Sequence, residues 1–138
     1  MPAPTSPSDS TPAVAPKVYL GSPDGDVPVT VEVVSTPAKV ERGLMFREHL
    51  PPDDGMLFIM TDETDHAFWM KNTLISLDII FIGSDMKVAG ISANAEPRNL
   101  KLLKVGAPSH FVLEVNGGWA AKHKVAAGST VRFENVKY

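Results

Sequence analysis

The chain has 138 residues, of which 43% are hydrophobic, and a formal net charge of −3; such a chain suits one domain with a sizeable core plus a tail. The acidic balance, without a long run of Lys and Arg, argues against a nucleic-acid interface and against a membrane-surface patch. Because cysteine is absent, disulfides, thiolate metal sites and thiol nucleophiles are excluded. No apolar run reaches the roughly 18 residues that a membrane span requires.

The first 16 residues differ in composition from the rest. They are rich in Pro, Ser and Thr and hold few large apolar side chains. Such a segment cannot bury enough apolar surface to offset its ordering entropy, so we predict a disordered tether before a β domain at residues 17–138. No basic and apolar leader precedes it, so no signal peptide is predicted. Two explanations fit this composition. One is a tether behind a lost export signal or a lipid-modified cysteine, and the other is a dispensable tail.

The first elements of the domain are two strands and a helix. Residues 17–20 form a short strand, and residues 27–34 alternate Val with polar side chains, which predicts a half-buried strand. The period then changes: Thr36 and Pro37 are typical of a helix N-cap and first position. Val40 and Leu44 lie four residues apart, so we predict a helix at about 37–46.

Short strands dominate the remainder. We predict them at residues 56–60, 66–71, 77–82, 87–95, 109–115 and 130–136, with loops at 61–65 and 97–108 and a short helix at 119–123. The strand at 66–71 is expected to form a hairpin with the one at 77–82. The pattern predicts a mainly β, α+β domain: a compact antiparallel or mixed barrel-like or sandwich sheet with two short helices.

Several ordered motifs resemble one known family. They are RGLMFR at 42–47, LP at 50–51, GMLF at 55–58, FWMKNT at 68–73, LDIIF at 77–81, VLEV at 112–115 and GWAA at 118–121. Together they resemble the DUF192 (UPF0127) family over nearly all of residues 28–134. The chain departs from the family pattern at Lys124, where the family tends to have glycine, and at Ser76, where it tends to have proline.

The resemblance implies a small bacterial or archaeal β domain that is often exported or lipid-anchored and whose function is not established. We therefore expect a periplasmic or extracellular monomer, with a membrane link only through a lost N-terminal anchor. The expected function is a non-catalytic accessory or ligand-binding domain. Its partner would be a small polar ligand or an envelope protein, and no cofactor is predicted.

Charged and indole side chains on otherwise apolar segments mark the predicted site. A carboxylate among apolar neighbours should be paired, protonated or at an opening. The predicted ligand-binding residues are Arg42, Trp69, Lys71, Asn72, Asp78, Glu114 and Trp119. Two structural ion pairs, Lys71–Asp78 and Arg42–Glu114, explain the same charges without a ligand.

Two alternative functions remain open from the sequence. Thioethers and imidazoles suit Cu(I), so a periplasmic copper carrier would use Met45, Met56, Met70 and His66, although core packing explains the methionines better. A polysaccharide-active enzyme would use Asp78 and Glu114 as paired carboxyls, provided that both face one cleft.

Overall fold

The computed structural model describes residues 14–138. Within them, seven strands and two short helices follow in the order β1, β2, α1, β3, β4, β5, β6, α2, β7. The strands are Lys17–Ser22 (β1), Gly25–Val34 (β2), Asp54–Thr64 (β3), Leu77–Ile82 (β4), Val88–Ala95 (β5), Ser109–Asn116 (β6) and Val131–Glu134 (β7). The helices are Pro37–Arg42 (α1) and Trp119–His123 (α2). The prediction of a mainly β, α+β domain with two short helices is confirmed.

The strands form one sheet in the order β5-β4-β6-β3-β2-β1-β7. Every neighbouring pair is antiparallel except β2 and β3, which run parallel because α1 connects them. The sheet curls until the start of β5 approaches the start of β7. There Val88 N donates to Ser129 O at 2.9 Å and Val131 N donates to Met86 O at 2.9 Å. The curl therefore brings the two edge strands together at one end.

Each face of the sheet carries its own apolar cluster. On β6, Leu113 and Val115 face the cluster that includes Trp119 of α2. Val112 faces the opposite cluster, which includes Leu44, just after α1, and Phe58 of β3. The period-two alternation read from the sequence therefore assigns side chains to two separate packed layers.

The segment at residues 66–71 is not a strand, so the predicted hairpin with β4 is wrong. Only Phe68 forms a bridge, and its partner is Leu103 in the 97–108 loop. Met70 N donates to Asn99 O of the same loop at 2.9 Å. Asn72 then adopts a φ of 54°, which ends any extended run. The long loop, and not β4, supplies the hydrogen bonds that this segment needs.

Two boundaries also differ from the predictions. The acidic stretch at 61–64 continues β3 instead of forming a loop, since Thr64 pairs with Ser109 of β6. Helix α1 ends at Arg42 because Gly43 (φ 49°) donates its N–H to Lys39 O, and a turn follows.

The predicted tether lies mostly outside the described residues. Its last residue is ordered against the sheet, as Val31 N donates to Pro16 O at 3.0 Å. No helix within residues 14–138 is long and apolar enough to cross a membrane.

Candidate functional site

A cavity of about 190 Å³ opens between α1, the turn after it and residues 67–69. Strands β3 and β6 form its floor. Its walls are mainly apolar and aromatic: Val40, Leu44, Phe58, Met60 and Phe68. Phe68 meets Phe58 edge to face, with ring centroids 5.2 Å apart, so these two walls are fixed by mutual packing. The cavity thus has the apolar character of a small-molecule site.

Glu114 is the polar residue of the cavity floor. Strand β6 places it on the same face as Val112, opposite Met56 of β3 and Ile79 of β4. It is only 5% exposed, and burial alone raises the pKa of its carboxyl to about 8. Among the described residues, Ser109 Oγ is the one fully enclosed side-chain atom without a hydrogen-bond partner. The Glu114 carboxyl, to which no described residue donates, therefore reaches the cavity space.

Arg42 and Trp69 stand at the cavity mouth. Trp69 is 43% exposed, and the Lys71 ammonium lies 5.2 Å from the centre of its ring. The Arg42 guanidinium lies 5.6 Å from the centre of the Phe46 ring. The predicted Arg42–Glu114 ion pair is not formed, since no described ion pair joins them and Arg42 has no part in the raised pKa of Glu114. Glu114 is left without a cationic partner within residues 14–138.

Asp78 lies on the opposite face of the sheet, and both of its carboxylate oxygens accept hydrogen bonds. Its Oδ1 accepts from Asn94 N at 2.8 Å and Gly118 N at 3.0 Å, and its Oδ2 accepts from Ala120 N at 2.9 Å. Two of these donors belong to the first turn of α2, so Asp78 anchors this helix to the sheet. The predicted Lys71–Asp78 pair is therefore not formed.

Trp119 is also structural in its position. It is 4% exposed, and its ring packs 4.6 Å from the His123 ring. Its Nε1 donates to Asp53 Oδ1 at 3.4 Å. It belongs to the apolar cluster on the side of the sheet away from the cavity.

The seven predicted site residues thus separate into groups. Arg42, Trp69 and Glu114 meet at the cavity. Lys71 and Asn72 lie beside it on the surface, where Asn72 O accepts from Phe46 N at 2.8 Å. Asp78 and Trp119 lie on the other face.

Comparisons with known proteins agree with this fold. The model of DUF192, described as an uncharacterized ACR, matches residues 20–133. The chain belongs to the DUF192 family. No curated protein matches it.

Two solved structures resemble this DUF192 chain at 34% sequence identity. A protein of unknown function from Novosphingobium aromaticivorans DSM 12444 has a TM-score of 0.83, and the match covers 94% of this chain and 99% of that one. A Sinorhizobium meliloti 1021 protein, described as a "putative transcription regulator", has a TM-score of 0.82, with 87% of this chain and 94% of that one covered.

The residues of the copper hypothesis differ in their surroundings in this DUF192 domain. Met45 lines the cavity, whereas Met56 and Met70 are buried in the core cluster beneath it. His66 contacts Asp62, with Nε2 at 3.0 Å from Asp62 O. No group of three or more His, Cys, Asp or Glu that could hold a metal occurs in residues 14–138.

The paired-carboxyl hypothesis fails on strand register. Glu114 stands opposite Ile79, and Asp78 stands opposite Val115. Because neighbouring residues of a strand point to opposite faces, the Asp78 and Glu114 side chains lie on different sides of the sheet. They cannot act on one bond in one cleft.

Sequence reasoning missed the apolar walls of the cavity. Val40, Met60 and Phe68 are apolar side chains that cannot be told from core residues in the sequence. In the fold they line the cavity because a gap separates α1 from residues 67–69. Charged and indole side chains on apolar segments were the usable signal: they identified Arg42, Trp69 and Glu114, and they also indicated Asp78 and Trp119, which lie on the other face.

Proposed function

We propose that this DUF192 domain binds a small, mainly apolar molecule in the cavity above Glu114, as an exported accessory domain without catalytic activity. The observation that carries the proposal is a carboxyl more than nine-tenths buried, without a described partner, at the floor of an open apolar cavity. A buried polar group without a partner is costly, and a ligand that hydrogen-bonds to it removes that cost. Export is the expectation from the family resemblance, and the Pro- and Ser-rich composition of residues 1–16 suits a tether in such a protein.

The cavity limits the size and the chemistry of the ligand. An apolar cavity of about 150 Å³ accommodates a benzene-sized molecule, so about 190 Å³ suits one ring or a short chain with a small substituent. With a pKa of about 8, Glu114 is mainly protonated at neutral pH and donates a hydrogen bond. We propose that the ligand presents a neutral acceptor, such as a carbonyl, to this proton.

Ligand-detected NMR with neutral single-ring carbonyl compounds, such as benzamide and acetophenone, tests the proposal. We expect binding at pH 6.5 and a loss of about tenfold in affinity by pH 9, since Glu114 ionises above about 8. E114Q, which keeps a donor, should bind about equally at both pH values, and E114L should not bind. E41Q makes the same chemical change at the exposed mouth and should leave the pH dependence unchanged.

Two results would contradict the proposal. One is the absence of binding by every compound of this class. The other is an affinity that rises with pH through about 8, which would mean that the ionised Glu114 is the binding form.

A further inference from the structure

Four large apolar side chains are exposed on three segments of this chain: Phe46, Trp69, Leu100 and Leu102, which we name the apolar patch. Their exposed fractions are 55%, 43%, 61% and 62%. Scattered single apolar residues on a surface are ordinary, whereas a group of them marks an interaction site. Leu100 follows Asn99, whose backbone oxygen accepts from Met70 N at 2.9 Å, so it lies beside the segment that carries Trp69.

Hydrogen bonds hold the three segments of the apolar patch side by side. Phe68 and Leu103 exchange both backbone bonds, at 2.9 and 2.7 Å, and Phe68 points inward towards Phe81. Trp69 and Leu102, the next residues on each segment, therefore point outward together. Phe46 N donates to Asn72 O at 2.8 Å, which brings the third segment alongside.

The charge around the apolar patch is positive although the whole chain is acidic. Residues 42–47, 66–77 and 97–113 contain no Asp or Glu, in a protein of net charge −3. Five cations accompany the patch: Arg42, Lys71, Arg98, Lys101 and Lys104; a sixth in these segments, Arg47, is paired with Glu32. Of the five, Lys104 has an acidic neighbour, Asp65, at 3.9 Å. Glu41, Glu48, Asp65 and Glu96 border these segments at the surface, and Asp78 and Glu114 border them in the interior.

We propose that the apolar patch and its five cations form a docking surface for an anionic lipid bilayer. Trp, Phe and Leu insert at the boundary between headgroups and acyl chains, and Lys and Arg bind the anionic headgroups. Leu100 and Leu102 offer no ring on which a base could stack, and the whole chain is acidic, so a bilayer suits this surface better than a nucleic acid. The side chains project from a turn and two loops, which suits shallow insertion into a bilayer. This inference does not depend on a ligand in the cavity.

Vesicle co-sedimentation tests the proposal, with tryptophan emission as a second readout. Wild-type protein should bind vesicles of equal parts phosphatidylglycerol and phosphatidylcholine, should bind pure phosphatidylcholine weakly, and should be released by rising NaCl. Since Trp119 is buried and Trp69 is exposed, a blue shift on binding would report insertion of Trp69.

Paired variants separate the patch from net charge. K101E/K104E should lose at least about tenfold in vesicle binding, and L100S/L102S should lose the blue shift and most of the binding. K122E/K137E changes net charge equally at exposed positions outside these three segments and should bind like wild type. All positions are exposed, and thermal unfolding will verify that each variant folds.

Several outcomes would overturn the proposal. They are no binding of wild type to anionic vesicles, equal losses in the two charge-reversal variants, or unchanged binding by L100S/L102S. Preferential binding of poly-glutamate or duplex DNA, lost in K101E/K104E, would assign the surface to a different partner.

Discussion

Two buried carboxyls on adjacent strands differ in their hydrogen bonding. Asp78 accepts three backbone N–H groups, two of them from the first turn of α2. Glu114, one position away in register and on the other face, accepts none from the described residues and keeps a pKa of about 8. The first arrangement holds a helix in place, and the second leaves a protonated group facing a cavity.

The raised pKa of Glu114 makes folding stability depend on pH. The folded state retains the proton up to about pH 8, whereas the unfolded state loses it at about 4.5. Stability should therefore fall as pH rises from about 4.5 to about 8 and then level off, by an amount on the order of 5 kcal/mol. E114Q lacks this ionisation, so its stability relative to wild type should increase over the same range. Urea unfolding at pH 5, 6.5 and 8 measures the difference.

The matched control is E41Q, which changes an exposed glutamate at the cavity mouth. Glu32 and Glu63 contribute equally to the unfolding free energies of E41Q and E114Q, so their contributions cancel in the difference between the two variants. The lowered pKa values of Glu32 and Glu63 act at more acidic pH. A stability difference between E114Q and wild type that is the same at pH 5 and pH 8 would show that Glu114 is not buried as a neutral acid.

At this scale the sequence predicts the face of each charge but not its partner. Alternation along β4 and β6 correctly places Asp78 beside Ile80 and Glu114 beside Val112. The donors to Asp78 are backbone groups 16, 40 and 42 residues away in the chain. Every residue except proline has a backbone N–H, so the sequence does not indicate which of these groups donate to Asp78. The predicted partner, Lys71, is nearer in the chain, and that prediction is wrong.

The two short helices depend on their ends, because neither is long enough to be stable by itself. Helix α1 begins as predicted, with Thr36 Oγ1 accepting from Lys39 N and Pro37 in the first turn. Helix α2 ends at His123 and is followed by the C-cap residue Lys124, whose φ of 58° and ψ of 35° lie in the left-handed region. This is the position at which the chain departs from the glycine that is usual in the family.

Replacing Lys124 with glycine should stabilise the domain. A left-handed conformation costs a residue with a Cβ roughly 1–2 kcal/mol, and glycine adopts it freely. K124G also loses the exposed contact of Lys124 Nζ with Asp24 Oδ2 at 3.3 Å, which is worth little. We expect a net gain of about 0.5–1 kcal/mol in unfolding free energy, measured by urea denaturation. K124A, which loses the contact but keeps the Cβ, should show no gain, and equal effects of the two substitutions would contradict the explanation.

Strand and helix positions follow well from the sequence where hydrophobic period and turn residues agree. Strand β4 and helix α2 are predicted with their observed bounds, Leu77–Ile82 and Trp119–His123. The segment at 66–71 was misassigned because its alternation is real: Met70 is buried and Trp69 is exposed. Its hydrogen-bond partner, however, is a loop without any strand pattern. Alternation shows which side chains are buried, and it does not identify the strand or loop that provides the backbone bonds.

At the scale of the whole molecule, the two faces of the curled sheet differ in how they are covered. One face, with α2, is a closed apolar core anchored by Asp78. The other face has α1 and residues 67–69 above it and leaves a cavity between them. The apolar patch lies at the mouth of that cavity, since Trp69 belongs to both. The sequence predicts the sheet, but the gap and the patch arise only when three distant segments meet.

Backbone hydrogen bonds close the sheet between the start of β5 and the start of β7. Val88 N donates to Ser129 O, Gly128 N donates to Val88 O at 2.8 Å, and Val131 N donates to Met86 O. Open sheet edges leave amides free to exchange with solvent. We therefore expect the amides of Val88, Gly128 and Val131 to be strongly protected in hydrogen exchange measured by NMR, at a level approaching that of central strand β6. Rapid exchange of all three, with β6 still protected, would mean that the sheet is open at this end in solution and that β7 is held by β1 alone.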